Sequence, residues 1–379
     1  MLTIKGIPKN IREPLLGKVR FSEVSKEERR KTIIANPNIS KKALEGYVAI
    51  ISSDTEIRSE MKDLETPVVY GIKGLKILSE GDVIEIFPNG TINVLYQINS
   101  RHNIIFVTSK CDCNCIMCPQ PVDDNEGSLT ELNLRLISLM SKSTEELALT
   151  GGEPTAVGND LFKLILACRD LLPQTALLLL TNGRRFSNFE YTHFFSSLRH
   201  PNITVGIPFY GDNNIEHDSI MGSRGAFDGA IRGILNLASF NNSIEIRTVI
   251  TRQTYNKLLR ISEFIYRNLT FVRHVAFMGL ETIGRGQQNL KLLWVEPEKI
   301  LRPLEEAIHY LVQRGMTTSI YNIPLCLLPR NLWRFARRSI SEWKDSFDLK
   351  CSGCSVKAQC SGVFESTIEL FRHHIKPVL

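Results

Sequence analysis

The stretch Cys111-Asp-Cys-Asn-Cys115-Ile-Met-Cys118 decides how this chain of 379 residues is interpreted. It holds four of the nine cysteines and directly follows an apolar run, residues 103–108, that is typical of a buried strand. Cys111, Cys115 and Cys118 have the spacing C-x3-C-x2-C, which puts three thiolates on one short loop. Three thiolates can hold three irons of a [4Fe-4S] cubane and leave the fourth iron open to a further ligand, whereas four thiolates would close it.

A structural zinc site is the alternative for this loop, because zinc prefers four ligands and Cys113 supplies a fourth thiolate by number. The spacing C-x-C-x-C-x2-C is not usual for zinc. We therefore expect Cys113 to stand outside the metal site and the other three cysteines to form it.

From about residue 102 onward, apolar β-type runs alternate with helical patterns. Six such alternations predict right-handed strand–helix units, a parallel sheet and an α/β partial (β/α)6 barrel that is open on one side. In barrels of this kind the chemistry lies on loops at the C-terminal ends of the strands. The predicted strands are residues 103–108, 147–150, 176–180, 203–207, 244–250 and 274–278. The predicted helices are residues 128–142, 160–171, 189–198, 226–240, 256–268 and 296–314.

Two short segments follow the second and third predicted strands: Gly151-Gly152-Glu153-Pro154 and Thr181-Asn182-Gly183. Each alone would indicate only a turn. Their order behind the cysteine loop resembles the radical S-adenosylmethionine (SAM) superfamily, over roughly residues 102–295. The resemblance implies that the first segment contacts the SAM amino group and that the second lies near its ribose. It also implies that the cluster cleaves SAM reductively to a 5′-deoxyadenosyl radical.

The fifth and sixth predicted strands carry further candidates. The resemblance implies that Arg247 reaches the SAM carboxylate and that Met278 and Gly279 support the adenine. A salt bridge inside the barrel is the alternative for Arg247. His217 and Asp218 follow the fourth strand, where a structural hydrogen-bonded pair is favoured over a role in proton transfer.

A second cysteine set lies near the end of the sequence. Cys351, Cys354 and Cys360 have the spacing C-x2-C-x5-C, and Cys326 precedes them, which gives four thiolates for a closed [4Fe-4S] cluster. This arrangement resembles the short, twitch-like auxiliary-cluster extension of radical SAM enzymes that modify peptides. A structural zinc site made of the same four residues is the alternative.

Residues 1–100 differ from the barrel because they contain short β-type runs and a hairpin signal at Pro88-Asn89-Gly90. They predict a β-rich N-terminal accessory domain. The barrel is assigned to residues 101–295, and residues 296–379 are predicted to hold a helix and the auxiliary iron–sulfur extension.

Composition sets limits on location and partners. The formal net charge of +6 is mild, no apolar signal segment is visible at residues 1–14, and charged residues interrupt the most apolar stretch, residues 161–180. We expect a cytoplasmic protein without a membrane span. No nucleic-acid-binding module is recognisable.

As a whole the chain resembles the His-Xaa-Ser system radical SAM maturases of the HxsC type. The resemblance implies that a ribosomally made precursor peptide is the substrate, that a flavodoxin- or ferredoxin-type protein donates electrons, and that a second radical SAM maturase takes part. A radical SAM enzyme acting on a small molecule or RNA, and a non-enzymatic metal-binding module, are the alternatives. The supporting stretches are residues 81–103, 118–121, 278–281, 321–328 and 351–364.

Overall fold

The computed structural model describes residues 2–36, 41–62, 64–120, 122–123, 127–338 and 345–379. Pro121, in one of the stretches named above, lies outside them. The chain forms two compact units. One unit comprises Met1–Ile105, Thr130–Leu147 and Leu166–Thr175, and the other comprises Phe106–Leu129, Ala148–Ile165 and Ala176–Leu379. The predicted division into three domains, at residues 100 and 295, stays a prediction.

The first unit contains an eight-stranded mixed sheet with the strand order β1-β8-β7-β3-β4-β5-β6-β2. The pairs β3–β4, β4–β5 and β5–β6 are parallel, and the other pairs are antiparallel. Its strands are β1 (Leu2–Lys5), β2 (Ile7–Lys9), β3 (Leu15–Arg20), β4 (Thr32–Ala35), β5 (Ala49–Ile51), β6 (Val68–Tyr70), β7 (Val83–Ile86) and β8 (Thr91–Tyr96). Two short helices, α1 (Lys26–Arg29) and α2 (Ser59–Lys62), lie between strands.

The two edge strands of this sheet, β1 and β2, are separated along the chain by one residue, Gly6. The sheet therefore curves so strongly that one continuous stretch of chain, residues 2–9, forms both of its edge strands. The Gly6 N–H donates to the Gly90 carbonyl at 3.0 Å, inside the predicted hairpin turn that joins β7 and β8. Buried apolar side chains of this sheet pack together in one cluster, which includes Val19, Ile33 and Ile84.

The second sheet has eight strands in the order β16-β15-β14-β13-β12-β11-β10-β9, and its pairs from β11 to β16 are parallel. This α/β arrangement with a curled parallel sheet is the predicted half-barrel. The strands are β9 (His102–Phe106), β10 (Glu146–Thr150), β11 (Ala176–Leu180), β12 (Ile203–Pro208), β13 (Ser243–Val249), β14 (His274–Met278), β15 (Thr318–Tyr321) and β16 (Ala336–Arg337).

The six predicted strands are present within two residues of their predicted bounds, but the prediction of only six was wrong. β15 and β16 extend the sheet beyond β14. They were missed because they have four and two residues, which is too short for a periodic signal.

Helices follow the strands, and the pattern of buried residues explains why they form. Leu258, Ile261 and Ile265 of α8 are buried at helical spacing, and this face packs against α11. Helix α6 was not predicted. The helices are α3 (Thr130–Leu139), α4 (Asn159–Leu171), α5 (Phe189–Ser197), α6 (Asn214–Met221), α7 (Ala226–Ser239), α8 (Leu258–Asn268), α9 (Arg285–Gln288), α10 (Leu290–Leu293) and α11 (Pro297–Val312).

The last part of the chain is built mostly from turns. A two-stranded antiparallel sheet pairs β17 (Asp345–Ser346) with β18 (Val363–Phe364), and α12 (Ile368–Phe371) follows. Short 3-10 turns carry the cysteines Cys326 and Cys351. Within the described residues, no helix has both the length and the apolar character needed to pass through a bilayer.

We predict that Gly90→Ala destabilises the first unit. Gly90 has φ +80°, and a Cβ atom there would lie 2.2 Å from the Gly6 carbonyl oxygen. The left-handed backbone alone costs a non-glycine residue about 1–2 kcal/mol. We expect a melting temperature lower by several degrees in a thermal unfolding scan. The control is Gly127→Ala, where an added Cβ would meet no atom within 4 Å; an equal effect of both substitutions would contradict the prediction.

Candidate active site

The cysteine loop follows β9, and backbone hydrogen bonds fix it against the end of α6. The Asn114 N–H donates to the Met221 carbonyl, and the Ile116 N–H donates to the Ile220 carbonyl, each at 3.0 Å. The Cys118 carbonyl accepts from the Arg285 N–H at 2.9 Å. The loop is therefore held by groups from two later strand–helix connections.

The three candidate ligand cysteines, Cys111, Cys115 and Cys118, are free and partly exposed, whereas Cys113 is buried. Burial raises the pKa of Cys115 to about 12. Cys111 and Cys113 share a hydrogen bond, which raises the pKa of Cys111 and lowers that of Cys113. A raised pKa keeps a thiol protonated, so metal binding at Cys111 or Cys115 would release a proton.

The segment Gly151–Pro154, which follows β10, lies against the backbone that leads into the cysteine loop. The Gly152 N–H donates to the Thr108 carbonyl, and the Glu153 N–H donates to the Lys110 carbonyl, each at 2.7 Å. A Cβ atom on Gly152 would lie 2.3 Å from the Lys110 carbonyl oxygen. Glycine at this position therefore lets the two loops touch backbone to backbone.

The Glu153 carboxylate is buried, at 3% exposure, and binds to neighbouring loops. Its Oε1 accepts from the Thr155 N–H at 3.0 Å, from the Thr155 hydroxyl at 2.7 Å and from the Thr181 hydroxyl at 2.6 Å. Its Oε2 accepts from the Asn182 N–H at 2.6 Å. Burial raises the pKa of Glu153, and these hydrogen bonds oppose the rise. The side chain joins the loops after β10 and β11.

The third strand-end segment, Thr181–Gly183, also contacts the cysteine loop. Asn182 Nδ2 donates to Asp112 Oδ1 at 2.6 Å and lies 3.5 Å from the Cys113 sulfur. Arg184 Nη1 donates to Asp112 Oδ2 at 3.0 Å and lies 3.6 Å from the same sulfur. Sequence reasoning missed Asp112 and Arg184 as positioning residues, although one lies inside the cysteine motif and the other directly follows Gly183.

Arg247 has a partner inside the protein. Its guanidinium is bonded to the Glu245 carboxylate, and Nη2 lies 3.2 Å from the Met278 sulfur. Glu245 Oε2 lies 2.6 Å from His274 Nδ1, and His274 Nε2 lies 2.9 Å from the Ser319 hydroxyl. The pKa of Glu245 is lowered because the hydrogen bonds and charges of His274 and Arg247 outweigh its burial. The ion pair of Arg247 is the salt bridge that the sequence analysis gave as its alternative role. The continuation of these contacts through His274 to Ser319, across β14 and β15, was not predicted.

Gly279, at the end of β14, lies against the loop after β15. Its N–H donates to the Tyr321 carbonyl at 2.9 Å, and a Cβ atom would lie 2.4 Å from the Asn322 carbonyl oxygen. Asn322 is buried with φ +57°, and both polar atoms of its side chain lack a hydrogen-bond partner among the residues that the structure describes. A buried, unpaired amide at a strand end is a feature that sequence reasoning missed.

His217 and Asp218 lie on α6 and serve separate structural contacts. His217 is fully buried, and its Nδ1 accepts from the Tyr210 N–H at 3.2 Å. Asp218 accepts from the N–H groups of Gly225 and Phe227, at 2.6 and 2.8 Å, where α7 begins. These contacts agree with the structural role favoured for the pair.

The second cysteine set lines one small cavity together with Pro324, Asp348 and Ile375. The four residues around it, all free thiols, are Cys326, Cys351, Cys354 and Cys360. The structure thus brings Cys326 to the other three, although it lies on a separate turn.

The distances between sulfurs bear on which metal fits. In the described part of the chain, one group of three potential ligand side chains has ligand atoms within 4.8 Å of one another, namely Glu296, Glu298 and His374. No three cysteine sulfurs among the described residues are that close. A tetrahedral zinc ion with Zn–S bonds of about 2.3 Å needs sulfurs roughly 4 Å apart. A cubane, in which each thiolate binds a different iron, does not need its sulfurs that close together.

We predict that Glu153→Gln weakens the junction of the strand-end loops. A Gln amide can replace only one carboxylate oxygen as an acceptor, so its NH2 group would face an N–H donor. An unmatched buried donor costs about 1–3 kcal/mol. We expect a lower melting temperature by differential scanning calorimetry. Glu190→Gln, at an exposed position on α5, is the matched control, and equal melting temperatures for the two variants would contradict the prediction.

We predict that acidification destabilises the protein through His217. Burial lowers its pKa from 6.5 to about 4, so the folded state favours the neutral ring. The unfolded chain binds a proton below pH 6.5, so this stabilisation is present above that pH and is lost as the pH falls towards 4. Between pH 7 and pH 5 the free energy of unfolding should fall by about 2 kcal/mol from this group.

Urea unfolding at both pH values measures this loss. The His217→Asn variant keeps an acceptor for the Tyr210 N–H but does not titrate, and it should lack this part of the decrease. The exposed His373→Gln variant should keep it. The same pH dependence in His217→Asn as in the unchanged chain would rule out His217 as the cause.

Comparison with known proteins gives two curated relatives, both of them enzymes. No protein-family model matches the chain. Fe-coproporphyrin III synthase of Methanosarcina barkeri (strain Fusaro / DSM 804) is 24% identical over 224 residues, which is 57% of this chain and 54% of that protein. GTP 3′,8-cyclase of Campylobacter jejuni (strain RM1221) is 25% identical over 183 residues, 46% of this chain and 55% of that protein. The chain thus spans about half the length of these relatives.

Among solved structures, Streptococcus suis SuiB bound to S-adenosylmethionine aligns with a TM-score of 0.48 and 17% identity, over 57% of this chain and 49% of that chain. Native anSMEcpe with bound AdoMet aligns with a TM-score of 0.45 and 18% identity, over 57% and 62% of the two chains. The curated homologues of this chain are radical SAM enzymes, and they support the resemblance to that superfamily which the cysteine spacing indicated.

Proposed function

We propose that this enzyme modifies a ribosomally made precursor peptide, one with His-Xaa-Ser repeats, by abstracting hydrogen from it. The observation that carries the proposal is the second site, where Cys326, Cys351, Cys354 and Cys360 surround one cavity in addition to the three-cysteine loop. Such a pairing of sites resembles peptide-modifying radical SAM enzymes with a twitch-like extension. The stretches that resemble maturases of the HxsC type support the same substrate class.

At the first site, a bound [4Fe-4S] cluster would supply the electron for reductive cleavage of SAM to the 5′-deoxyadenosyl radical. Cys111, Cys115 and Cys118 would hold the cluster. Because four donors already occupy the Glu153 carboxylate, we assign the contact with the SAM amino group to the backbone of Gly151–Pro154. The Thr181–Gly183 turn would lie at the ribose.

The fifth and sixth strands would hold the rest of SAM. Arg247 would reach the SAM carboxylate from β13, with Glu245 holding its guanidinium in place. Met278 and Gly279 would support the adenine at the end of β14. Cys113 would remain outside the cluster, since Asn182 and Arg184 already lie against its sulfur.

The second site would hold an auxiliary [4Fe-4S] cluster with four protein ligands. Four thiolates leave no iron open, so its role would be to accept an electron when the substrate radical is oxidised to product. Hydrogen abstraction from a side-chain or α carbon, followed by cross-link formation, is the reaction that we propose. The enzyme would work in the cytoplasm with a flavodoxin- or ferredoxin-type electron donor and a second radical SAM maturase.

A small-molecule substrate is the second candidate, because the names of both curated relatives refer to small molecules, coproporphyrin and GTP. The formal net charge of +6 also fits an anionic substrate, including RNA. Neither observation explains the four-cysteine site, and we therefore place this candidate second.

We predict that the two cysteine sets have separate effects on SAM cleavage. After anaerobic reconstitution with iron and sulfide, dithionite and SAM should yield 5′-deoxyadenosine, and Cys111→Ala, Cys115→Ala or Cys118→Ala should abolish it. Cys354→Ala should retain some cleavage without product. Chromatographic measurement of 5′-deoxyadenosine tests this, and the buried Cys168 on α4 provides the control Cys168→Ala.

Failure of the unchanged protein to cleave SAM would contradict the proposed radical SAM chemistry. Complete loss of cleavage in a folded Cys354→Ala protein would contradict the separate roles. Co-expression with a precursor containing His-x-Ser triplets, followed by tandem mass spectrometry, tests the substrate. An unchanged peptide mass, without deuterium uptake when the reaction runs in heavy water, would favour the small-molecule candidate.

A further inference from the structure

Every sulfur of the second cysteine set faces a backbone N–H group. The Cys354 sulfur accepts from the Val378 N–H at 3.4 Å. The Cys360 sulfur accepts from the N–H groups of Leu325 and Gly362, at 3.3 and 3.4 Å. Backbone donors thus point into the cavity from several directions, as a site for negatively charged sulfur requires.

The other two sulfurs show the same pattern. The Cys326 sulfur accepts a hydrogen bond from the Lys376 backbone N–H. The Cys351 sulfur accepts one from the Asp348 backbone N–H. Five backbone N–H groups of other residues therefore donate to the four sulfurs. Two of them, those of Lys376 and Val378, lie close together in the chain, within residues 375–379, which we call the 375–379 segment.

The 375–379 segment is anchored independently of these sulfur contacts. The Val378 carbonyl accepts from the Ser355 N–H at 2.8 Å and from the Ser355 hydroxyl at 2.9 Å. Ile375 is buried, at 4% exposure, in the apolar cluster beside Cys326 and Cys351. The segment is thus anchored at Ile375 and at Val378, which restrains the N–H groups of Lys376 and Val378.

We infer that the 375–379 segment sets the reduction potential of the auxiliary cluster through the backbone N–H groups of Lys376 and Val378. The inference rests on the auxiliary cluster proposed above. Adding an electron to a cluster makes its sulfurs more negative, so N–H donors stabilise the reduced form more than the oxidised form and raise the potential. Without these donors the cluster would accept an electron from a substrate radical less readily.

Side-chain charges around the cavity must be separated from this backbone effect. Lys357 and Lys376 line the cavity. Asp348 lines it as well, but its carboxylate accepts from the Lys350 N–H and from Arg372, which keeps that negative charge paired. Loss of the Lys376 ammonium alone would also lower the potential, so the test must remove an N–H group without removing a charge.

Proline substitution does this, because proline has no backbone N–H. We would use the full chain with Cys111, Cys115 and Cys118 replaced by Ala, so that only the second set can hold a cluster. Val378→Pro removes the donor to Cys354 and keeps the carbonyl that Ser355 binds. Val378→Ala truncates the same side chain and keeps the donor, which makes it the matched control.

Midpoint potentials would be measured by redox titration followed by electron paramagnetic resonance. We expect Val378→Pro to shift the potential to a more negative value than Val378→Ala. Lys376→Pro should likewise lie below Lys376→Ala, a pair in which both variants lack the ammonium. Equal potentials within both pairs would overturn the inference while leaving the cluster in place.

Iron and sulfide content separates the remaining outcomes. A parent protein that binds no cluster after reconstitution would overturn the auxiliary site itself, and the inference with it. Loss of the cluster from both proline variants, with retention in both alanine variants, would show that these N–H groups hold the cluster and would overturn their role in setting its potential.

Discussion

The hydrogen bonds of the buried Glu153 carboxylate are the interaction on which the candidate active site depends. Three strand-end loops must meet at one point, although they are far apart along the chain. Glu153 accepts from its own loop and from the loop after β11, while the backbone of its segment bonds to the cysteine loop. A single buried carboxyl group thus joins the strand-end loops of the candidate site.

Glu153 differs in exposure from the candidate ligand cysteines beside it. Cys111, Cys115 and Cys118 are partly exposed, as groups that meet a cofactor should be. Glu153, Asp112 and Arg184 hold the loops against one another and leave those thiols accessible. The same division applies at the second site, where four thiols line the cavity and backbone donors stand behind them.

Part of this arrangement was predictable from the sequence, because it depends on local spacing. Cysteines separated by three and by two residues, a Gly-Gly-Glu-Pro turn and apolar runs of four to seven residues all give signals within a short window. The six predicted strands therefore appeared close to their predicted bounds. The short β15, the contact of Glu245 with His274, and the N–H groups of Lys376 and Val378 gave no such signal. Backbone donors have no sequence signature, and contacts across the sheet depend on register.

The short connection between β1 and β2, a single residue, affects how the first unit can bind other protein chains. A sheet with long open edges offers unpaired N–H and C=O groups to any passing strand and tends to aggregate. Here the two edge strands have only four and three residues, and they are parts of one stretch that turns at Gly6. Little free edge is left for a foreign strand to extend, so a peptide that meets this unit must bind by its side chains or at its loops, not by adding a strand.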